Sequence, residues 1–477
     1  MYLKRFYDEK LAQASYLVGC AATGEALVVD ANRMIEQYIE DATAQGLRIT
    51  HVTETHIHAD YVSGSRELAA RTGAKLFLSD EGGPDWKYAF AAEAGATLLK
   101  DGDSFKVGNI RIEALHTPGH TPEHLAFMVT DTAGADRPMG VFTGDFVFVG
   151  DVGRPDLLER AAKYEGTMVA GARTLFKSLQ QFKQQPDYLQ VWPGHGAGSA
   201  CGKALGAVPQ TTVGYEKQFN WAFAYDDEAG FVAAVLAGQP EPPRYFAEMK
   251  RINRDGPRLL GDYQRPVRMS GAQFIEAMAA KAVVIDVRSA AEYANAHVPG
   301  TINIPLSKAF TTWAGWLTSY DRDFYLLVPA AQVGSTVDAA VRDLAMIGLD
   351  RVAGYFTEDS LDAWRVAGRE LASTTQIGVD ELKQQLAAGA VNVLDVRGRT
   401  EWDAGHIASD AAANGSRVVH IPLGYLTERL DELPRDKPIV VHCQAGARSA
   451  IAASVLEASG VQNVIDLRGG FQQWRAA

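Results

Sequence analysis

Three short motifs recur in this chain at unchanged spacing: Asp286-Val287-Arg288, Glu292-Tyr293 and His297-Val298 return as Asp395-Val396-Arg397, Glu401-Trp402 and His406-Ile407. A repeat of about 100 residues means that one supersecondary plan is used twice. Each set follows an apolar strand-like run, at 282–285 and 391–394, and each is followed by an Ile-Pro, Ile304-Pro305 or Ile421-Pro422. Strands alternating with helical stretches predict two small α/β domains with parallel sheets, over 263–372 and 373–477.

The chain has 477 residues. Single cores stop growing near about 250–300 residues, so two to four domains are expected. Prolines and glycines in Gly238-Gln239-Pro240-Glu241-Pro242-Pro243 and Arg254-Asp255-Gly256-Pro257 interrupt both helix and strand, marking an arm that leaves a first domain of residues 1–262. In that domain, strand-like runs at 15–18, 26–30, 49–55, 75–79, 110–116, 125–129, 140–142 and 189–192 alternate with helical patterns at 34–45, 62–72 and 167–181. The pattern predicts a layered α/β fold with mixed sheets.

Side chains that bind metal sit where these strands end. His56, His58 and Asp60 occupy alternate positions after the run 47–55, and Tyr61 follows them. His120 lies in Thr117-Pro118-Gly119-His120, Asp145 in Thr143-Gly144-Asp145, and His195 in Pro193-Gly194-His195. Loops at strand ends are where scaffolds hold chemistry. His116 and His124 lie near these residues in sequence and are expected to be structural.

The ordered series His-x-His-x-Asp, Thr-Pro-Gly-His, Gly-Asp and Gly-His resembles the metallo-β-lactamase superfamily. That resemblance implies an αββα sandwich with a metal site between its sheets. Members with two metals usually carry His after the first Asp, where this chain has Tyr61. A phenol is a poor ligand for a divalent ion at neutral pH, so one metal is expected. Resemblance to the persulfide dioxygenase branch implies His56, His120 and Asp145 as ligands of one Fe(II) per chain. Two imidazoles and a carboxylate on one face leave positions open for a thiol persulfide and O2. His58, Asp60 and His195, together with Tyr61, would orient ligands or substrate; the alternative is that some of them hold a second metal. The stretches Gly150-Asp151-Val152-Gly153-Arg154-Pro155-Asp156 and 194–202 resemble bacterial persulfide dioxygenases fused to rhodaneses. Cys201, in the second stretch, is either an exposed thiol that relays sulfur or an inert small residue. Cys20 ends a strand-like run and is expected in the core.

The repeats resemble rhodaneses. In the second copy a strand leads into Cys443-Gln444-Ala445-Gly446-Ala447-Arg448, and a helix is expected from about Ser449. Backbone N–H groups of such a turn, together with the helix N-terminus, would stabilise a thiolate or persulfide on Cys443. Arg448 adds a positive charge. Cysteine-dependent phosphatases place five residues between Cys and Arg, and four stand here, which favours sulfur over phosphate. In the first copy Pro329 falls at the Cys443 position and Gly334 at the Arg448 position. That copy is expected to be silent, serving as a spacer or binding surface.

A formal charge of −12 and scattered Lys and Arg give no basic footprint for nucleic acid. No apolar run is long enough to span a bilayer, and charges at 8–10 preclude a signal-peptide core, so a cytoplasmic location is expected. The three cysteines lie too far apart in sequence to suggest a disulfide framework. The expected function is oxidation of low-molecular-weight persulfides to sulfite and thiol, coupled to sulfane sulfur transfer that forms thiosulfate, in sulfide detoxification by a homo-oligomer. The alternative is a zinc thioester hydrolase of the glyoxalase II type with an appended rhodanese.

Overall fold

A strand that is apolar at nearly every position needs cover on both faces. Gln13–Cys20 is such a strand, buried along its whole length, and it lies inside a layered structure. The computed structural model describes residues 1–162, 166–239, 241–261, 265–407 and 414–477. Contacts divide the chain into Met1–Tyr263 with Ala345–Gly348, and Gln264–Leu344 with Leu349–Ala477. The boundary expected between 262 and 263, and Pro240 of the arm, lie outside the described residues.

In the first unit six strands, Tyr2–Asp8, Gln13–Cys20, Glu25–Val29, Arg48–Thr53, Lys75–Ser79 and Thr97–Leu99, follow one another in sequence order across one sheet. The second sheet runs Thr211–Thr212, Gln190–Pro193, Gly140–Gly144, Leu125–Asp131, Ile110–His116 and Ser104–Val107. Tyr16, Val18 and Leu27 of one sheet meet Phe127, Phe142 and Trp192 of the other in a single core. Each such aromatic buries about 150–250 Å², worth roughly 4–6 kcal/mol before entropy is counted. Helices Glu36–Ala44 and Ser65–Thr72 cover the first sheet, and Thr167–Phe182 covers the second through Ala172, Leu175, Leu179 and Phe182. The αββα sandwich is therefore present. Strand Tyr2–Asp8 does not show in the sequence pattern: it is an edge strand, and Lys4 and Arg5 sit on it half-covered or exposed, which hides its alternation.

The second unit holds two parallel sheets. Their orders are Ile302–Asn303, Val283–Asp286, Phe324–Val328, Val352–Thr357 and, in reverse, Thr375–Ile377, Val464–Leu467, Ile439–His442, Asn392–Asp395, Val418–His420. Apart from the added edge strand Thr375–Ile377, the two orders are the same. The recurring Asp-x-Arg is a buried ion pair in both copies, Arg288 Nη2 to Asp286 at 2.6 Å and Arg397 Nη2 to Asp395 at 2.7 Å. Each guanidinium also donates to the loop that follows, at Ala296 O and Gly405 O. The repeat thus encodes a structural latch.

Helix Ala447–Ala458 follows the Cys443 loop and is buried nearly all round, from Ser449 to Leu456. One side packs on its own sheet and the other on the first copy, where Asn303 N–H donates to Ser454 Oγ at 3.0 Å and His297 Nε2 lies 3.3 Å from Glu457. Among the described residues no helix is long and apolar enough to cross a membrane.

Candidate metal centre and cysteine loop

Strand Arg48–Thr53 delivers His56 to one rim of the sandwich, and Gly140–Gly144 delivers Asp145 to the same rim from the other sheet. His120 arrives from the loop before Leu125–Asp131. The ligand atoms of His56, His120 and Asp145 lie within 4.8 Å of one another, all buried. His56 Nε2 stands 3.8 Å and His120 Nε2 3.5 Å from Asp145 Oδ2.

The hydrogen bonds behind these residues fix which nitrogen faces inward. His120 Nδ1 donates to Arg154 O at 2.9 Å, leaving Nε2 as a bare lone pair. His56 Nδ1 contacts Thr55 Oγ1, whose hydroxyl donates to Asp30, so His56 Nε2 is likewise free. Burial, with neighbouring imidazoles adding to it at His56, holds both rings below the usual histidine pKa and hence neutral. His56 Nε2 and both Asp145 oxygens accept or donate no hydrogen bond. Buried polar atoms are rarely left in that state without a ligand, and two imidazoles with one carboxylate suit a divalent transition metal. These residues fit a metal ion.

Asp30 escaped the sequence reading, yet it organises this loop. Its carboxylate accepts from Thr55 N at 2.7 Å, from Thr55 Oγ1 at 2.9 Å and from His58 Nε2 at 3.2 Å. This commits His58 Nε2 to Asp30, while its Nδ1 is buried without a hydrogen-bond partner; His58 is not in the group formed by His56, His120 and Asp145. Burial opposes charge on His58, but Asp30 outweighs it and lifts its pKa to about 9. Tyr61 donates its hydroxyl to Asp30 O at 3.2 Å, and burial beside Asp30 and Asp60 keeps that phenol protonated. Asn253, from helix Phe246–Asp255 in the segment read as a linker, donates to His58 O and Tyr61 O and pins the loop. Partners that hold a ligand's far nitrogen typically govern affinity by about 10–100-fold. Asp30→Ala is expected to weaken metal binding within that range while leaving the fold intact, as measured by competition with a chromophoric chelator; unchanged affinity would refute the role.

Next to the triad stands a second buried group, Asp60, His195 and Cys201. His195 Nδ1 donates to Ala12 O, and its Nε2 lies 3.1 Å from Asp60 and 3.4 Å from Asp145. Cys201 is buried at 1% exposure, which corrects the reading of an exposed thiol. Its loop is held by Arg154, whose Nη1 donates to Ala200 O and whose N–H donates to Cys201 O, while Asp156 neutralises the guanidinium. The motif residue Gly153 makes this possible, since a Cβ there would lie 1.8 Å from Asp145 O. His124 also departs from expectation. It is beside the site in space, its Nε2 accepting from Asp145 N at 3.1 Å and its Nδ1 donating to Thr117 Oγ1. His116 is structural, donating to Pro122 O. Cys20 ends its strand in the core, with Asn109 N–H donating to its sulfur.

In the second unit, strand Ile439–His442 ends at Cys443, and the helix begins at Ala447, two residues earlier than expected. Cys443 is buried, and Gly446 N–H points at its sulfur from 3.1 Å. Ser449 Oγ lies 3.8 Å from that sulfur. Gly470 lets the last helix close over the loop; its φ is +57°, and a Cβ would lie 2.4 Å from Cys443 O. Gln444 accepts from Arg397 Nη1 at 3.2 Å. Arg448 does not aim its guanidinium into the loop alone, because Glu401 grips it at 2.6 and 2.7 Å. Ala445 and Ala447 contribute backbone to the turn. In the first copy the corresponding turn starts at Pro329, and Ala330 N–H donates to Glu358 at 3.3 Å.

The metallo-beta-lactamase superfamily model matches residues 9–195, and the rhodanese-like domain model matches twice, at 270–364 and 378–477. The crystal structure of a metallo-beta-lactamase from Staphylococcus aureus subsp. aureus COL is 45% identical and covers 75% of this chain and 99% of its own, with a TM-score of 0.68. Persulfide dioxygenase ETHE1, mitochondrial, of Bos taurus is 28% identical over 200 residues, 40% of this chain and 67% of that protein. Hydroxyacylglutathione hydrolase of Rhodospirillum rubrum is 26% identical over 269 residues, 55% of this chain and 90% of that protein. The chain is an enzyme of the metallo-β-lactamase superfamily that carries two rhodanese-like domains behind its metal-binding fold.

Proposed function

We propose that the chain is a persulfide dioxygenase with one Fe(II), held by His56, His120 and Asp145, joined to a sulfurtransferase that works through Cys443. The observation that carries the first half is the buried group of His56, His120 and Asp145, two imidazoles and one carboxylate with ligand atoms within 4.8 Å of one another, while Tyr61 gives its hydroxyl to Asp30 O. Similarity to ETHE1 supports the same reading. The overall change is RSSH + O2 + H2O → RSH + SO3²⁻ + 2H⁺. Fe(II) in that site would supply the redox capacity for O2 and the positive charge that collects both substrates. The chain's own groups do the rest. Arg154 O and Thr55 orient His120 and His56, while Asp60 and His195, the latter 3.4 Å from Asp145, would position the persulfide. Cys201 lies among them, and burial beside Asp60 and Asp145 pushes its thiol pKa up to about 12, which makes it a poor sulfur acceptor.

In the last domain, Cys443 thiolate attacks the outer sulfur of a persulfide; the new S–S bond forms as the old one breaks and RS⁻ leaves. Sulfite then takes the outer sulfur as thiosulfate, returning the thiolate. The Gly446 N–H would hold the negative sulfur in both states. The first copy lacks the nucleophile, with Pro329 at the Cys443 position.

A zinc thioester hydrolase is the second reading, favoured by the hydroxyacylglutathione hydrolase similarity and by the Asp60, His195 and Cys201 group, which could hold another ion. Protein purified without air and analysed for metals decides between them. One iron per chain, with O2 uptake matched by sulfite from a small alkyl persulfide, is expected. Two zinc ions per chain with thioester hydrolysis would replace the first reading by the second.

A further inference from the structure

The charge on Arg448 is largely spent before any substrate arrives. Glu401 accepts from both terminal nitrogens of its guanidinium, at 2.6 and 2.7 Å, in the bidentate geometry that is the strongest form of this pair. The side chains are only a quarter and a third exposed. Burial opposes ionisation of Arg448, but Glu401, and more weakly the Cys443 sulfur, raise its pKa above the ordinary guanidinium value. The other guanidinium by the loop, Arg397, is already bidentate on Asp395. His442, next to the nucleophile, has Nε2 3.5 Å from that same Asp395, and burial keeps it neutral. Asp466 lies beneath the loop, accepting from Gln376, and burial raises its pKa from the ordinary carboxylate value. The loop therefore offers an incoming anion one N–H-lined sulfur and cations that are already paired.

Glu401 also acts locally, accepting from Gly398 N at 3.1 Å and capping the helix Arg399–Asp403. Glu292 caps the matching helix in the first copy, on Ser289, although Gly334 there leaves no arginine to hold. Capping explains a glutamate at this position, but not the grip on Arg448.

Resting on the sulfurtransferase reading above, we propose that Glu401 sets donor specificity: by neutralising Arg448 at the Cys443 loop it selects an alkyl persulfide, whose sulfurs carry at most one negative charge, over dianionic thiosulfate. Both donors undergo the same exchange. Cys443–S⁻ bonds to the outer sulfur and expels RS⁻ from a persulfide or SO3²⁻ from thiosulfate, with no oxidant required. The site does not alter the equilibrium between them; it determines which donor saturates it at low concentration. A loop that holds thiosulfate weakly also lets it go, so thiosulfate is the compound this domain releases. The metal domain, which makes sulfite, supplies the acceptor.

The test uses the full-length protein under argon, so that no persulfide is oxidised, with cyanide as common acceptor. Donors are thiosulfate and 2-hydroxyethyl persulfide. Glu401→Gln keeps a carbonyl oxygen for Gly398 N but removes the charge. It is expected to lower KM for thiosulfate by about tenfold at low salt, with kcat and the persulfide KM changing less than about twofold. Raising ionic strength to about 0.5 M should erase most of the gain. Glu401→Asp, which restores the charge, should restore the wild-type preference. A donor preference unchanged in Glu401→Gln, or one that shifts equally in Glu401→Asp, overturns the proposal. Failure of the wild type to transfer sulfur from either donor would bring down the sulfurtransferase reading, and this proposal with it.

Discussion

Asp145→Ala is expected to strip the metal and reduce O2 uptake with a persulfide by more than about a hundredfold, while sulfur transfer to cyanide stays within about twofold of wild type. The side chain has no structural bond to lose, since neither carboxylate oxygen takes part in a hydrogen bond within the chain. What disappears is one donor of three, leaving His56 and His120 with lone pairs on the same face and no negative charge between them. The backbone contacts of residue 145, to His124 and around Gly153, do not depend on the side chain, so the rim should keep its shape. Elemental analysis, O2 electrode traces and a cyanide assay on one preparation check all three parts. A variant that retains both iron and O2 uptake would remove Asp145 from the ligand set.

Cys443→Ser should abolish sulfur transfer, by about a thousandfold or more, and leave O2 uptake untouched. The hydroxyl would still accept from Gly446 N–H, so the loop has no reason to collapse. An alcohol is hardly ionised at neutral pH and cannot carry a sulfane sulfur, and both are required of the nucleophile. With the second step gone, a persulfide oxidised in air should yield sulfite in place of thiosulfate. Chromatography of labelled sulfur products reads that change directly. Thiosulfate formed at the wild-type rate would disqualify Cys443 as the carrier and turn attention to Cys201.

Much of both sites is legible without coordinates, because their groups follow apolar runs and such runs become strands. His56, His120 and Asp145 converge for that reason, and so do Cys443 and the turn after it. The residues that stay hidden depend on register or on distant chain. Asp30 lies far ahead of Thr55 in sequence and meets it only because Val29 pairs with Thr53 in parallel sheet. Asn253 sits in the short helical piece expected between the two proline- and glycine-rich stretches of the arm, and nothing in that pattern tells that this helix pins the metal loop. Glycines around Cys201 suggest exposure; Arg154 draws that loop inward instead. Glu401 is legible only as a mark of the repeat. Its grip on Arg448 crosses from one strand–helix segment to another, which spacing within a motif cannot express.

The helix that follows the Cys443 turn is buried nearly all round, and this ties the two copies to each other. Small residues, Ala452, Ala453 and Ser454, line it, and one of them is bonded to Asn303 of the copy that has no nucleophile. A change at Asn303 in the first copy is therefore felt by the domain that carries Cys443. Excising the first copy would bare a strip of small side chains on this helix, Ser454 among them, to water.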